Sequence, residues 1–280
     1  MNVLSKVKDV TEVFRRSGIE EPGREAEMLV TGLLEIDRAT LYAGDVDMPE
    51  DRAKYIDGLA ERRTRGEPLQ YLTGHVLFCG LKINVGSGVL IPRPETELLV
   101  EEAIRLIRQK GTGPLTILDL CTGSGCIALA LARHFPDATV YGVDASEHAL
   151  EYATRNAAAN NIHNAEFRRG DLWDPVNGMS FDCVVSNPPY VVRDEIETLQ
   201  KEVRDHEPFA ALDGGVDGLD FYKRIFREAP AYLREDGIII LEAGFGQADA
   251  IRELAQLTGF KQYDFIKDFA GIERIFTAKL

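Results

Sequence analysis

Over the first seventy-odd residues the apolar positions recur with a helical period and do not alternate. Val3, Val7, Val10, Val13 and Phe14 share one face, and Ala26, Met28, Leu29, Leu33 and Leu34 share another. Tyr55 and Leu59 mark a third, between the acidic start Pro49-Glu50-Asp51 and the basic pair Arg62-Arg63. Arg38 to Tyr42 reads as a short helix, so this stretch predicts a small bundle of helices across short loops. From His75 the period changes. HVLFCGLKINV predicts a β-hairpin turning near Cys79-Gly80, and GVLIPRPETELLVEEAIRLI predicts a short strand running through two prolines into an amphipathic helix that starts near Glu95. Strands and helices then alternate from LTILDL through FDCVVSNPP to QADAIRELAQLTG, which implies a mainly parallel sheet with helices on both faces. The last two strands, KQYDFIKD and ERIFTAK, are separated only by FAGI, which favours an antiparallel hairpin at the sheet edge. The expected fold is α/β, a Rossmann-like sheet with a small N-terminal helical bundle domain. The expected boundaries are 1–74 for the helical domain, 75–92 for the hairpin linker and 93–280 for the core.

Composition narrows the class. Of 280 residues, 45% are hydrophobic and 28% charged, which is the balance of a globular chain able to bury a core. No apolar run approaches the ~18 to 20 residues that span a bilayer, and the amphipathic start does not read as a leader, so a cytoplasmic protein is expected. Cys79, Cys121, Cys126 and Cys183 form no CxxC, and the five histidines show no ligand spacing; the expectation is buried thiols and no metal. Charge is more telling. Against 32 Lys and Arg stand 46 Asp and Glu, a net charge of −14 that opposes nonspecific binding to nucleic acid.

The strand TILDL breaks into Cys121-Thr122-Gly123-Ser124-Gly125 and restarts as a helix at Cys126. Gly123-x-Gly125-x-x-Ala128 satisfies a dinucleotide fingerprint, and Asp144, at the end of the next strand, stands where a ribose-binding acid belongs. Two cofactor types hold a ribose this way: a nicotinamide or flavin dinucleotide, and S-adenosylmethionine (SAM). A pyrophosphate asks only for the helix N-terminus, whereas an ammonium asks for a carboxylate nearby. Asp119, just before the loop, supplies that charge and favours SAM. Asp171 and Trp173 follow the next strand, where a carboxylate can meet the adenine amine and an aromatic ring can cover it. They read equally well as a turn aspartate and a core tryptophan.

The strand FDCVVSN ends in Asn187-Pro188-Pro189-Tyr190, again at the carboxyl end of a parallel strand. A planar NH2 on an amide or aromatic ring is a poor nucleophile, because its lone pair is delocalised. Acceptors on its two N–H bonds favour the change toward sp³ that attack on a methyl requires. Asn187 offers a side-chain carbonyl, Pro188 a backbone carbonyl on a stiff frame, and Pro189 holds Pro188 extended so that this carbonyl aims at the same point. Tyr190 can stack on the flat face of the target. Catalysis of this kind is alignment and charge stabilisation, with no ionisable base demanded.

On these motifs the core resembles class I SAM-dependent methyltransferases. Glu67-Pro-Leu-Gln-Tyr-Leu-Thr-Gly74, Ile91-Pro-Arg-Pro-Glu-Thr-Glu97 and Glu207-Pro-Phe-Ala-Ala-Leu-Asp-Gly-Gly215 extend the resemblance over nearly the full length, to the protein-(glutamine-N5) methyltransferases of peptide-chain release factors. The resemblance implies SAM as cofactor, contacted by Cys121 to Gly125, Asp144, Trp173 and Asn187. It implies a substrate glutamine, in the Gly-Gly-Gln loop of bacterial class-I release factors, held by Asn187 to Tyr190. A monomer with no direct nucleic-acid contact and no membrane is expected. One departure is Cys121, at a position often glycine in the family and tolerable if its φ is negative. Arg93, Glu95 and Glu97 read as lid or substrate contacts or, preferably, as an acidic helix start. The competing readings are an adenine-N6 DNA methyltransferase, since Asn-Pro-Pro-Tyr also suits the adenine amine, a dinucleotide oxidoreductase, and a non-catalytic binding module.

Overall fold

The computed structural model describes residues 2–43, 46–110 and 113–279. It divides into two compact units, Met1–His75 with Gln200–His206, and Val76–Leu199 with Glu207–Leu280.

The first unit is helical: α1 (Val3–Arg16), α2 (Pro22–Leu34), α3 (Arg38–Ala43), α4 (Glu50–Thr64), α5 (Leu69–Thr73) and, from much further along the chain, α9 (Lys201–His206). Asn2 caps α1 by accepting the Leu4 N–H at 2.9 Å, and Pro22 opens α2, where its missing N–H costs nothing. Val3, Val7, Val10 and Phe14 are buried with Leu29 and Leu59, as the helical period selects, and with Val30 and Ile56, whereas Val13, Met28 and Tyr55, expected on the same faces, are exposed because they lie at the edges of those stripes. Arg63 is buried and held by Glu25 at 2.6 Å and Glu202 at 3.0 Å. This second partner lies on α9, so a segment expected within the core clusters instead with the helical unit.

The second unit begins with the hairpin β1 (His75–Phe78) and β2 (Leu81–Asn84). Its two turn residues, Cys79 and Gly80, have φ of 47° and 71°, the left-handed pair that matches strand twist in a two-residue turn. The expected strand at Gly88–Leu90 is absent. The neighbouring Ile91 N–H is taken by the Glu207 carboxylate at 3.1 Å, so a side chain replaces the ladder partner. Next come α6 (Pro94–Arg108), β3 (Thr116–Leu120), α7 (Cys126–His134), β4 (Thr139–Asp144), α8 (Glu147–Ala159), β5 (Ala165–Arg169) and β6 (Phe181–Ser186). After them follow α10 (Asp220–Tyr232), β7 (Leu233–Glu242), α11 (Ala248–Leu257), β8 (Gln262–Lys267) and β9 (Glu273–Lys279).

The seven strands stand in the order β5-β4-β3-β6-β7-β9-β8, with β3 to β7 parallel and β9 antiparallel to both neighbours. The chain moves outward from β3 to β5, then returns to the other side of β3 with β6. That reversal is the switch point at which open α/β sheets bind ligands, beyond the carboxyl ends of the strands. Leu120 pairs with Ser186, so the loops after β3 and β6 leave the sheet side by side. Among the described residues no helix is long and apolar enough to cross a membrane.

Candidate active site

A cavity of about 260 Å³ opens at this switch point. Of the residues singled out from sequence, Cys121, Thr122, Gly123, Ser124, Asp144, Asp171, Asn187 and Pro189 line it. Asp119, Gly125, Trp173, Pro188 and Tyr190 do not.

Asp119 is fully buried behind the glycine loop. Its Oδ2 accepts the Thr122 hydroxyl at 2.5 Å and the Ala128 N–H at 3.1 Å, which staples the loop to the first turn of α7, while Oδ1 has no partner. Burial, reinforced by the charge of Asp144, pushes its carboxyl up to about 7. Asp119 therefore stands behind the loop and outside the cavity lining, where it organises the loop and does not face a ligand ammonium directly. Gly125 caps α7 with φ of 79°, and its place is decided by the backbone. Trp173 points away from the site: it is 1% exposed and stacked on Tyr232 with ring centroids 4.5 Å apart. Leu172, with φ of 50°, reverses the chain there, so the leucine lines the cavity and the tryptophan enters the core.

Asp144 is held as the fingerprint requires, with Oδ2 accepting the Gly123 N–H at 2.8 Å and Oδ1 the Ser146 N–H at 2.9 Å. Burial raises the carboxyl's pKa, while the backbone N–H groups of Ser146, Gly123 and Ala145 lower it. Asp171 gives one oxygen to Arg224 at 2.6 Å. Cys121 has φ of 58°, not the negative value that would make a side chain there comfortable, and burial pushes its thiol's pKa up. The thiol packs; it does not ionise.

Both Xaa-Pro bonds of Asn187-Pro188-Pro189 are trans. Asn187 donates its Nδ2 to the Thr96 hydroxyl at 3.1 Å, and Thr96 donates to Glu242 at 2.7 Å. Tyr190 donates its hydroxyl to the same carboxylate at 3.2 Å, while its carbonyl accepts from Gln247 at 2.8 Å. Arg93 pairs with the buried Glu207, and Glu97 accepts the Cys79 N–H at 2.6 Å, so both act within the fold. Sequence reasoning missed Thr96, Glu242, Glu207 and Gln247. Thr96 and Glu207 lie within motifs that carry the family resemblance, and Glu242 carried a signal as an acid at the carboxyl end of a parallel strand.

Residues 7–74 match the family model described as the PrmC N-terminal domain, and residues 71–205 the methyltransferase small domain. The release factor glutamine methyltransferase of Thermodesulfovibrio yellowstonii is 45% identical over 278 residues, covering 98% of this chain and 97% of that one. The chain belongs to the release factor glutamine methyltransferases. The family member of Geobacter sulfurreducens is 42% identical, over 97% of this chain and 95% of its own. A methyltransferase structure from Pyrococcus furiosus, 20% identical with a TM-score of 0.53 over 82% of this chain and 98% of that one, shares the fold.

Family membership implies SAM, and the site fits it. Asp144 offers two oxygens side by side for vicinal ribose hydroxyls. Ser124 lines the cavity with a buried hydroxyl that has no partner, a donor suited to a carboxylate. Val89, Leu90, Val143 and Leu172 supply apolar wall for a base.

Proposed function

We propose that this protein methylates the side-chain amide nitrogen (N5) of the glutamine in the Gly-Gly-Gln motif of bacterial class-I release factors, using SAM and thereby modulating translation termination. The observation that carries this reading is the placing of Asn187 beside the glycine loop, across the switch point, with its Nδ2 already committed to Thr96.

SAM, when bound, supplies a methyl group made electrophilic by its sulfonium. Thr122, Gly123, Ser124 and Asp144 hold it on one side of the cavity, with Asp171 and Leu172 at the base. The substrate amide enters on the other side. Asn187 Oδ1 and the Pro188 carbonyl accept its two N–H bonds, which localises the nitrogen lone pair and points it inward. Tyr190, braced by Glu242 and Gln247, limits the tilt of the amide plane. The nitrogen would gain the methyl carbon as the sulfonium carbon–sulfur bond breaks, leaving a neutral thioether, and the cationic amide would then give up one proton to water. That proton becomes acidic only once the bond has formed, so no side chain must remove it beforehand.

We assign release-factor recognition to the helical domain, residues 1–74, joined by 200–206, with residues 75–92 as a hairpin linker and the rest of 93–280 as the methyltransferase domain. We read the protein as a cytoplasmic monomer, and the net charge of −14 and the protein substrate support the reading that it does not bind nucleic acid. The test is transfer of labelled methyl from SAM to a release factor, but not to the same factor with its loop glutamine replaced. Label in duplex DNA and not in the factor overturns the reading in favour of adenine. Asn187→Ala is expected to lower turnover about a hundredfold while leaving SAM affinity within about twofold. Equal losses in both contradict the role given to Asn187.

A further inference from the structure

We propose that Thr96 and Glu242 are positioning residues that fix which way round the Asn187 amide stands, and so make the site accept an amide donor and reject a carboxylate. This rests on the reading of Asn187 as acceptor for the substrate glutamine.

A planar carboxamide can be turned by 180° with almost no change of shape, exchanging its acceptor for its donor. Nothing in the motif Asn-Pro-Pro-Tyr decides between the two. The decision comes from a chain of hydrogen bonds spanning three elements. Glu242, at the end of β7, is 1% exposed. As a carboxylate it can only accept, so the hydroxyls of Thr96, at 2.7 Å, and Tyr190, at 3.2 Å, must both aim their protons at it. Thr96 has one proton, and once it is given to Glu242 only lone pairs face Asn187. Asn187 can then approach only with Nδ2, as it does at 3.1 Å, and Oδ1 is the group left for a ligand. The opposite orientation would set N–H against the substrate N–H and remove the acceptor that favours the reacting geometry. With Oδ1 presented, a glutamate in place of the glutamine meets oxygen with oxygen.

The polarity starts at Glu242 and depends on its being ionised. Arg274 on β9 favours the ionised form, as do the Thr96 and Tyr190 hydroxyls. Burial and Glu95 on α6 oppose it, and the Tyr222 hydroxyl from α10 is occupied by the Glu242 backbone carbonyl at 2.7 Å. Because the carboxyl is shifted upward, the order of donors is secure at high pH and is lost as pH falls and Glu242 takes up a proton. Glu242→Gln keeps the shape but turns one oxygen into a donor, so Thr96 can receive from residue 242 and present its own proton to Asn187.

The experiment compares wild type, Glu242→Gln, Thr96→Val and Thr96→Ser in three measurements. These are turnover on the release factor, SAM affinity, and calorimetric binding of loop peptides carrying Gln or Glu to the enzyme saturated with S-adenosylhomocysteine. Expected are a fall in kcat of about thirtyfold or more in Glu242→Gln and Thr96→Val, and recovery to within about threefold in Thr96→Ser, with SAM affinity within about twofold throughout. The preference for the Gln peptide should collapse in the first two and persist in the third, and the acid limb of the wild-type kcat profile should vanish in Glu242→Gln. Unchanged peptide preference in Thr96→Val, or Thr96→Ser as impaired as Thr96→Val, overturns the proposal. Should Glu242→Gln fail to fold, the two Thr96 variants decide. Absence of methyl transfer by wild type counts against the substrate reading, whereas the peptide comparison still judges the relay.

Discussion

Gly123 and Gly125 stand two residues apart in one loop, with φ of 55° and 79°, yet an added methyl group should damage different properties at the two positions. An alanine at either position must adopt a left-handed backbone, which costs about 1 kcal/mol or somewhat more. At Gly125 the new Cβ would also stand 2.9 Å from the Cβ and 3.2 Å from the Cα of Ala153 on α8, and 3.1 Å from the Phe167 ring. The Ala153 atoms belong to a short, buried side chain and its backbone, so α8 itself must shift; overpacking of this kind adds about 1–3 kcal/mol. At Gly123 nothing lies within 4 Å of the new Cβ, and the residue lines the cavity. Gly125→Ala is therefore expected to destabilise the α/β unit by about 2–5 kcal/mol, and Gly123→Ala by about 1 kcal/mol. Binding should show the reverse order: Gly123→Ala loses SAM affinity through the methyl in its path, while Gly125→Ala that remains folded binds comparatively well. The single tryptophan is buried in this unit, so its fluorescence in urea reports unfolding of the unit alone, and calorimetry supplies the affinity. Equal destabilisation by the two substitutions would refute the view that the approach of α8 is what requires glycine at 125.

Two further predictions concern the same loop. Cys121 pairs a left-handed backbone with a side chain packed against the core, so Cys121→Gly should leave the protein about 1 kcal/mol more stable than Cys121→Ala, the reverse of the order at an ordinary position, as measured by urea unfolding. Asp119 holds its proton in the folded state up to about pH 7 but releases it near the ordinary value of 3.8 when unfolded, so wild-type stability falls as pH rises between those values, relative to Asp119→Asn, by as much as about 1.4 kcal/mol per unit before levelling off. A stability difference between the two proteins that stays flat from pH 5.5 to about 7 contradicts this assignment.

Much of the fold could be read from the chain because its signals are local. The helical period of α1, the Cys79-Gly80 turn and the alternation after Thr116 are each settled within a few residues, and the structure follows all three, apart from Val13, which is exposed at the edge of the α1 stripe. Where the reading failed, the deciding contact was distant. Val89 and Ile91 have the look of a strand and are buried like one, but Glu207 takes the Ile91 N–H from 116 residues away. Lys201–His206 groups with the helical unit through Glu202 and Arg63, a pairing that no periodicity announces. The sequence leaves Trp173 open between a cofactor contact and a core residue, because its direction depends on the positive φ of Leu172, a residue type that seldom adopts one.

The site divides along the same line. Gly123, Asp144 and Asn187 could be singled out because a close approach, a ribose and an amide would each demand a residue type at a fixed point relative to a strand end, and all three line one cavity. What the motif cannot contain is its own orientation. Asn187 supplies an acceptor only because Thr96, 91 residues earlier, and Glu242, 146 residues beyond Thr96, leave it no other way to stand. A buried polar network of this kind is costly unless every member is satisfied, and here the satisfied state is also the one that presents a carbonyl to the substrate. The residues that bind are therefore written locally, whereas the polarity that makes them selective is supplied by the sheet.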